Sequence, residues 1–178
     1  MNTKVKKFFK ENGLFIILII GLLLVVNFVY KPVVISGSSM FPTLHNNDFG
    51  FASIINVKTK EIERFDIVVV NLESKLVVKR IIGLPNDHLI YKNDKLYVNG
   101  KYIEEPFLNN DYVKDIKANN KDNFTNDFEY SLTNDEYFVL GDNRINSSDS
   151  RVYGGVYRHK IITDGLFIIY PFNRFGGK

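Results

Sequence analysis

The longest unbroken apolar pattern in the chain runs from Asn12 to Tyr30, NGLFIILIIGLLLVVNFVY, 19 positions without a charge. About 20 helical residues span a bilayer core. No polar face interrupts the run, which separates it from an amphipathic helix packed on a soluble core. Gly13, Gly21 and Asn27 are compatible with a membrane helix. A cleaved leader has a shorter apolar region, about 7–15 residues, closed by small residues. Here the run ends in the bulky NFVYKP. The pattern predicts an uncleaved transmembrane anchor over 12–30. Lys4, Lys6, Lys7 and Lys10 precede it, and only Lys31 follows directly. The positive-inside bias then places residues 1–11 in the cytoplasm and residues 31–178 on the outer face of the cell membrane, as a single-pass protein.

Past residue 31 the apolar runs become short. DIVVV (66–70), KLVVKRII (75–82), LIYKNDKLYVNGKYI (89–103), EYFVLGD (136–142) and GLFIIY (165–170) are rich in β-branched and aromatic residues and bounded by turn formers. Asn93-Asp94 and Asn99-Gly100 separate such runs. Asn-Gly is the stronger hairpin signal, since both central residues of a type I′ turn need positive φ. No four-turn amphipathic helix is predicted outside the anchor. The polar segment 109–127, NNDYVKDIKANNKDNFTND, reads as a weakly ordered surface insert. The expected fold is mainly β, with coiled antiparallel sheets closing toward a barrel, preceded by one N-terminal transmembrane helix.

The length, 178 residues, allows one domain and an appendage. The net charge of +3 is mild, and no dense basic stripe lies beyond the first ten residues, so nucleic acid is not an expected partner. The absence of cysteine excludes thiol catalysis and disulfides. There is no HExxH and no paired-histidine spacing, so neither a metal nor a cofactor is expected.

Candidate chemistry centres on SGSSMFPTL (36–44), which follows the apolar Val33-Val34-Ile35. A nucleophilic serine needs a base. His45, His88 and His159 all stand in polar stretches, as solvated surface histidines do. The elbow G-x-S-x-G is absent because Phe41 occupies its second glycine, and S-x-x-K occurs at no serine. A lysine can serve if it is neutral. At its reference pKa of ~10.4 only roughly 1 in 2,500 is neutral at pH 7, but burial disfavours the charged form. Lys79, flanked by Val77, Val78, Ile81 and Ile82, fits that condition. Lysines in such runs also snorkel to solvent, and composition alone leaves both readings open. GDNRINSSDSR (141–151) crowds carboxylates, arginines and serines behind the strand YFVL, as a polar loop or as part of a site.

Taken in order, these stretches resemble the type I signal peptidase family, also called bacterial leader peptidases, which are membrane-anchored serine proteases with a Ser/Lys dyad. GSSMFPTL is similar to the nucleophile box and selects Ser39, directly before Met40, over Ser38. RFDIV (64–68) resembles the RGDIV box, VVKRIIGLPND the lysine box and GDNRINSSDSR the last box. The resemblance covers roughly residues 10–172. It implies a serine endopeptidase that removes N-terminal signal peptides from secretory preproteins, cutting after small residues at −3 and −1. It implies Ser39 as nucleophile, with its N–H toward the oxyanion, neutral Lys79 as general base and Ser147 orienting the Lys79 amine. Gly37 stands where some members carry a second, hydroxyl donor. Arg80, Asp149 and Arg151 match a structural ion-pair set, and Asp142 and Arg144 match scaffold that shapes the loop. Two positions depart from the pattern. Asn86 replaces the glycine of LPGD and tolerates positive φ. Phe65 replaces the glycine of RGD without that tolerance.

A substrate read in extended form adds as a strand. PVVISG and VVK are the expected edges, and Val33 and Ile35 share one face by the period of two. With Met40, Leu44 and Val78 they are expected to form shallow apolar pockets, although core packing would account for the same residues. Phe41-Pro42 is expected to touch lipid. The expected partners are secretory preproteins and the lipid bilayer. One alternative is a dedicated or non-catalytic relative handling a narrow substrate such as a pilin. A self-cleaving repressor-type Ser/Lys protein is another, but the anchor and the lack of a DNA-binding module count against it.

Overall fold

The computed structural model describes residues 3–54, 60–119 and 122–177; of helix residues 3–7 and 24–28 it describes the backbone alone. The apolar run lies in helix α1 (Thr3–Val29). Among the described residues no helix is long and apolar enough to cross a membrane. The side chains of Lys4, Lys6, Lys7 and residues 24–28, on which the predicted anchor and its orientation partly rest, lie outside those described.

From α1 the chain passes directly into β1 (Tyr30–Val34), then β2 (Phe49–Ser53), β3 (Ile67–Asn71) and β4 (Leu76–Gly83). A meander follows, β5 (His88–Lys92), β6 (Lys95–Val98) and β7 (Lys101–Ile103), then helix α2 (Asp111–Asn119) and β8 (Phe128–Ser131). The chain ends in β9 (Glu136–Leu140), a one-turn helix α3 (Ser150–Tyr153), β10 (Val156–Tyr157), β11 (Ile161–Tyr170) and β12 (Gly176–Gly177). Pairing is antiparallel throughout. The larger sheet has the order β1-β2-β11-β3-β4-β9-β10, with β12 added on β11, and the smaller has the order β7-β6-β5-β8.

The larger sheet is curled, and its central strand is covered on both faces. Val68 and Val70 of β3 pack with Ile81, Val139 and Ile161. Ile67 and Val69, on the opposite face, pack with Ile35, Met40, Leu44, Leu166 and Ile168. That is why IVVV shows no polar alternation. A third core of Ile82, Leu89, Leu96, Phe138 and Leu140 joins the two sheets. The mainly β, curled antiparallel fold is the one the strand pattern predicts.

The turns follow their chemistry. Asn93-Asp94 and Asn99-Gly100 have positive φ at both positions and close the β5–β6 and β6–β7 hairpins. Asn86 takes φ +67°, as its side chain permits, and Phe65 takes φ +78°. The backbone at 65 therefore keeps a glycine-like conformation with a phenylalanine in it. Its ring packs edge-on to Phe107 at 5.2 Å.

The predicted surface insert is more ordered than its composition suggests. Residues 111–119 form α2, which Asn110 caps by accepting the Val113 N–H at 3.0 Å. Val113 is buried, and Lys117 pairs with Asp94 at 3.1 Å.

Candidate active site

Met40 is buried 2 % exposed at the end of a tight turn, and its burial fixes Ser39 on the rim of the curled sheet. Ser39 is half-buried there. Lys79, in the middle of β4, is 3 % exposed. Its Nζ donates to Ser39 Oγ at 2.7 Å and to the Val78 carbonyl at 3.1 Å. Burial pushes the amine down from 10.5 to about 8. Asp149 and Asp142 pull it back up, and Lys75 pushes it further down. No carboxylate forms an ion pair with Lys79 among the described residues, so only the more distant Asp149 and Asp142 favour its charged form.

The histidines lie elsewhere. His45 packs on Phe41, His88 Nε2 meets Glu129 Oε1 at 2.8 Å, and His159 stacks on Tyr157. Among the described residues no three His, Asp or Glu side chains converge as a metal site requires.

The stretch 141–151 wraps the Ser38–Phe41 turn from behind. Asn143 N–H donates to the Ser39 carbonyl at 3.0 Å, and Asn143 Nδ2 donates to the Ser38 carbonyl at 3.1 Å. Gly141 leaves room for this contact. A Cβ there would lie 2.4 Å from the Ser39 carbonyl oxygen and 2.3 Å from Ser147 Oγ.

The expected set of Arg80, Asp149 and Arg151 divides between two ion pairs, one of which takes in Asp142. Arg80 pairs with Asp142, not with Asp149, through Nε–Oδ1 at 2.8 Å and Nη2–Oδ2 at 2.6 Å. Thr43 Oγ1 donates to the same carboxylate at 2.5 Å. Removing one member of such a buried pair typically costs about 3–5 kcal/mol. Asp149 pairs with Arg151 through two bonds of 2.8 Å and accepts the Gly141 N–H at 3.1 Å. Burial alone would raise its carboxyl, but Arg151 and the Gly141 N–H hold it below the usual carboxylate range. Asp149 also caps α3. Arg144, fully buried, pairs with Glu105 and donates to the Tyr91 hydroxyl at 3.0 Å and to the Gly141 carbonyl at 3.1 Å.

Ser147 lies near the Ser39 backbone but does not bond to the Ser39 or Lys79 side chain. Its Oγ is buried beside Asp149 and forms no hydrogen bond of acceptable geometry with any described residue. Gly37 has φ +90°, open space where a side chain would stand, and an N–H that donates to Asn46 Oδ1 at 2.9 Å.

A cleft of about 580 Å³ opens beside Ser39 and Lys79, between β1 and the first half of β4. Val33, Ile35, Met40 and Val78 line it, as expected. Leu44 does not. It is completely buried in the core beneath, where it packs with Ala52 and Ile168. Phe41, expected to touch lipid, is half-buried, with its ring against His45 at 4.8 Å and Tyr112 at 4.7 Å.

Gly141 and Asn143 lie inside a stretch the sequence singles out, yet carry no charge to draw notice. Thr43 is in the same position within SGSSMFPTL. Glu105 and Tyr112 have no local signal at all, since only the tertiary fold brings them to the site.

Comparison with known proteins gives one answer. The family described as signal peptidase, peptidase S26, matches residues 7–170. Signal peptidase I S of Bacillus subtilis (strain 168) is 41 % identical over 173 residues, covering 96 % of this chain and 94 % of that protein. Signal peptidase I of Streptococcus pneumoniae serotype 4 is 36 % identical over 204 residues, covering 96 % and 97 %. The crystal structure of a signal peptidase I from Enterococcus faecalis V583 superposes with a TM-score of 0.52 at 34 % identity, over 59 % of this chain and 97 % of that one.

Proposed function

Since the chain belongs to the peptidase S26 signal peptidase family, and is a serine endopeptidase that removes signal peptides from secretory preproteins, we propose that Ser39 is its nucleophile and neutral Lys79 its general base. The observation that carries this reading is the 2.7 Å contact between Lys79 Nζ and Ser39 Oγ inside an apolar wall. When the amine is neutral the bond reverses, and the hydroxyl donates to the nitrogen lone pair. Ser39 Oγ attacks the scissile carbonyl as Lys79 takes its proton. Lys79 then returns that proton to the leaving amine and, in the second half-reaction, activates water against the acyl-enzyme. The Ser39 N–H donates to the oxyanion. Ser147 orients the amine once the dyad shifts during turnover, which gives its unpaired buried hydroxyl a partner.

The cleft supports cutting after small residues. Among the described residues the outer edge of β1 is unpaired, and β4 pairs with β9 only from Arg80 onward, which leaves Leu76–Lys79 open on that side. An extended peptide adds to these edges and points alternate side chains at the apolar floor. Val33, Ile35, Met40 and Val78 then meet the −1 and −3 side chains and leave room only for small ones.

The enzyme works as a single-pass membrane protein, with its N-terminus in the cytoplasm and its catalytic domain on the outer face. The uncharged run of α1 supports this, as does an aromatic patch close to its exit. Phe167, Tyr170, Phe172 and Phe175 are exposed, with Phe172 at 77 %. They lie on and after β11, whose Phe167 pairs with Phe51 of β2, and Phe51 pairs in turn with Pro32 of β1. Aromatic rings of this kind favour the bilayer interface.

The test is cleavage of a preprotein carrying an A-x-A site by the detergent-solubilised chain, beside Ser39→Ala and Lys79→Ala. Cleavage after that site by wild type alone is the expected result. A cut that survives Ser39→Ala would assign the wrong nucleophile.

A further inference from the structure

Helix α2 reaches the nucleophile turn through one side chain. The Tyr112 ring packs edge-on against Phe41 at 4.7 Å, and its hydroxyl donates to Asn143 Oδ1 at 3.2 Å. Asn143 is 3 % exposed. Its Nδ2 donates to the Ser38 carbonyl at 3.1 Å. The two ends of this amide cannot be exchanged. The Ser38 oxygen only accepts, so the amide nitrogen must face it and the amide oxygen must face Tyr112.

The Ser38 carbonyl and the Ser39 N–H belong to one peptide plane. The bond between them is trans, so the two groups point in opposite directions. Whatever fixes the Ser38 oxygen therefore also fixes the direction of the Ser39 N–H. The Phe41 N–H donates to the same oxygen at 3.1 Å, and the Asn143 N–H holds the next carbonyl, that of Ser39, at 3.0 Å.

We infer that Tyr112 and Asn143 are positioning residues that hold the Ser38–Ser39 peptide with its N–H aimed at the developing oxyanion. The inference rests on Ser39 being the nucleophile. Residue 37 is glycine and offers no side-chain donor, so the Ser39 N–H carries more of the oxyanion stabilisation. A donor aimed in advance needs no reorientation as charge develops. Tyr112 can supply this only because α2 is held at both ends, by the Asn110 cap and by the Lys117–Asp94 pair. The polar insert thus contributes to catalysis without touching substrate.

Tyr112→Phe removes the hydroxyl and keeps the ring against Phe41. The full chain in detergent is assayed on an A-x-A preprotein, beside wild type and Ser39→Ala. Complete loss of an oxyanion donor costs about 10²–10³ in kcat, so a misaimed one is expected to cost about tenfold. KM should stay within about twofold, because the hydroxyl makes no contact that substrate binding uses. The pH of half-maximal rate should not move, because Lys79 is untouched. Asn143→Ala should cost more, about a hundredfold. A second readout needs no substrate: the backbone order parameter of the Ser39 amide, from NMR relaxation, should fall in Tyr112→Phe at an unchanged melting temperature. Unchanged kcat or an unchanged order parameter would overturn the inference. So would a loss of kcat that came with a shifted pH midpoint, since that would assign the effect to Lys79. A wild type that does not cut, or a Ser39→Ala variant that does, would instead refute the nucleophile, and the order parameter would still decide whether Tyr112 holds the peptide.

Discussion

Lys79 carries the largest consequence of any single residue, because burial has moved it far from its behaviour in solution. With a pKa of about 8, roughly one amine in ten is neutral at pH 7. The value of kcat/KM should climb as the amine deprotonates and level off above about pH 8, which a pH–rate profile would read. Lys75 lines the same cleft, and its charge disfavours the protonated amine. Lys75→Ala should therefore raise the midpoint and slow the enzyme at pH 7 while leaving the plateau unchanged. A midpoint that fell would contradict this.

The same displacement has a price in stability. The unfolded lysine titrates at 10.5 and the folded one near 8. Between these values the unfolded chain binds more protons, so stability rises with pH through that window and is lowest below it. Lys79→Met should abolish cleavage yet stabilise the fold at pH 7 by about 2–3 kcal/mol, with the gain gone above about pH 10.5. Melting curves at the two pH values test both parts. Ser39 and Lys79 stood out in the sequence through the resemblance of the short boxes that hold them, and the fold brings their side chains within 2.7 Å. Tyr112 and Glu105 did not stand out, because their partners lie 31 and 39 residues away along the chain.

Among the elements, the junction of two loops is more exacting than either loop. Gly141 passes under the Ser39 carbonyl at a distance that admits no side chain. Gly141→Ala must displace either the nucleophile turn or the 141–151 stretch. A shift of about 1 Å at a catalytic group costs on the order of a hundredfold in rate. Activity is expected to fall by at least that much with secondary structure retained, as circular dichroism would show.

Strands β3, β4 and β9 could be read in the sequence because they are apolar and their lengths are typical. Strand β2, FGFAS, could not. Its inward positions are Gly50 and Ala52, and a Cβ at Gly50 would stand 2.2 Å from the Phe167 carbonyl oxygen. Close approach to β11 demands small residues, and small residues hide a strand from a hydrophobicity pattern. Helix α2 was missed for a related reason. It is polar and only nine residues long, and tertiary anchors hold it in place. At Phe65 the pattern suggested a conflict, and the structure resolves it. The ring contact with Phe107 offsets the positive φ, and the Phe65 carbonyl still accepts Arg80 Nη1 at 2.8 Å.

For the whole molecule, the aromatic patch makes a prediction about where the domain rests. Burying one phenylalanine contributes about 1.5–3 kcal/mol. In a chain lacking residues 1–30, Phe172→Asp with Phe175→Asp should weaken co-sedimentation with lipid vesicles by at least about tenfold without lowering the melting temperature. Equal co-sedimentation would remove the patch from the account. The half-open edge of β4 matters beyond catalysis as well. Unpaired strand edges are templates on which copies of a protein stack and aggregate, and chains guard such edges with lysine and proline. This one has Lys31 and Pro32 on one side of the gap and Lys75 on the other. The residues that border the cleft therefore also defend it. A variant stripped of those charges should precipitate at concentrations where the parent stays dispersed, even if it still cut its substrate.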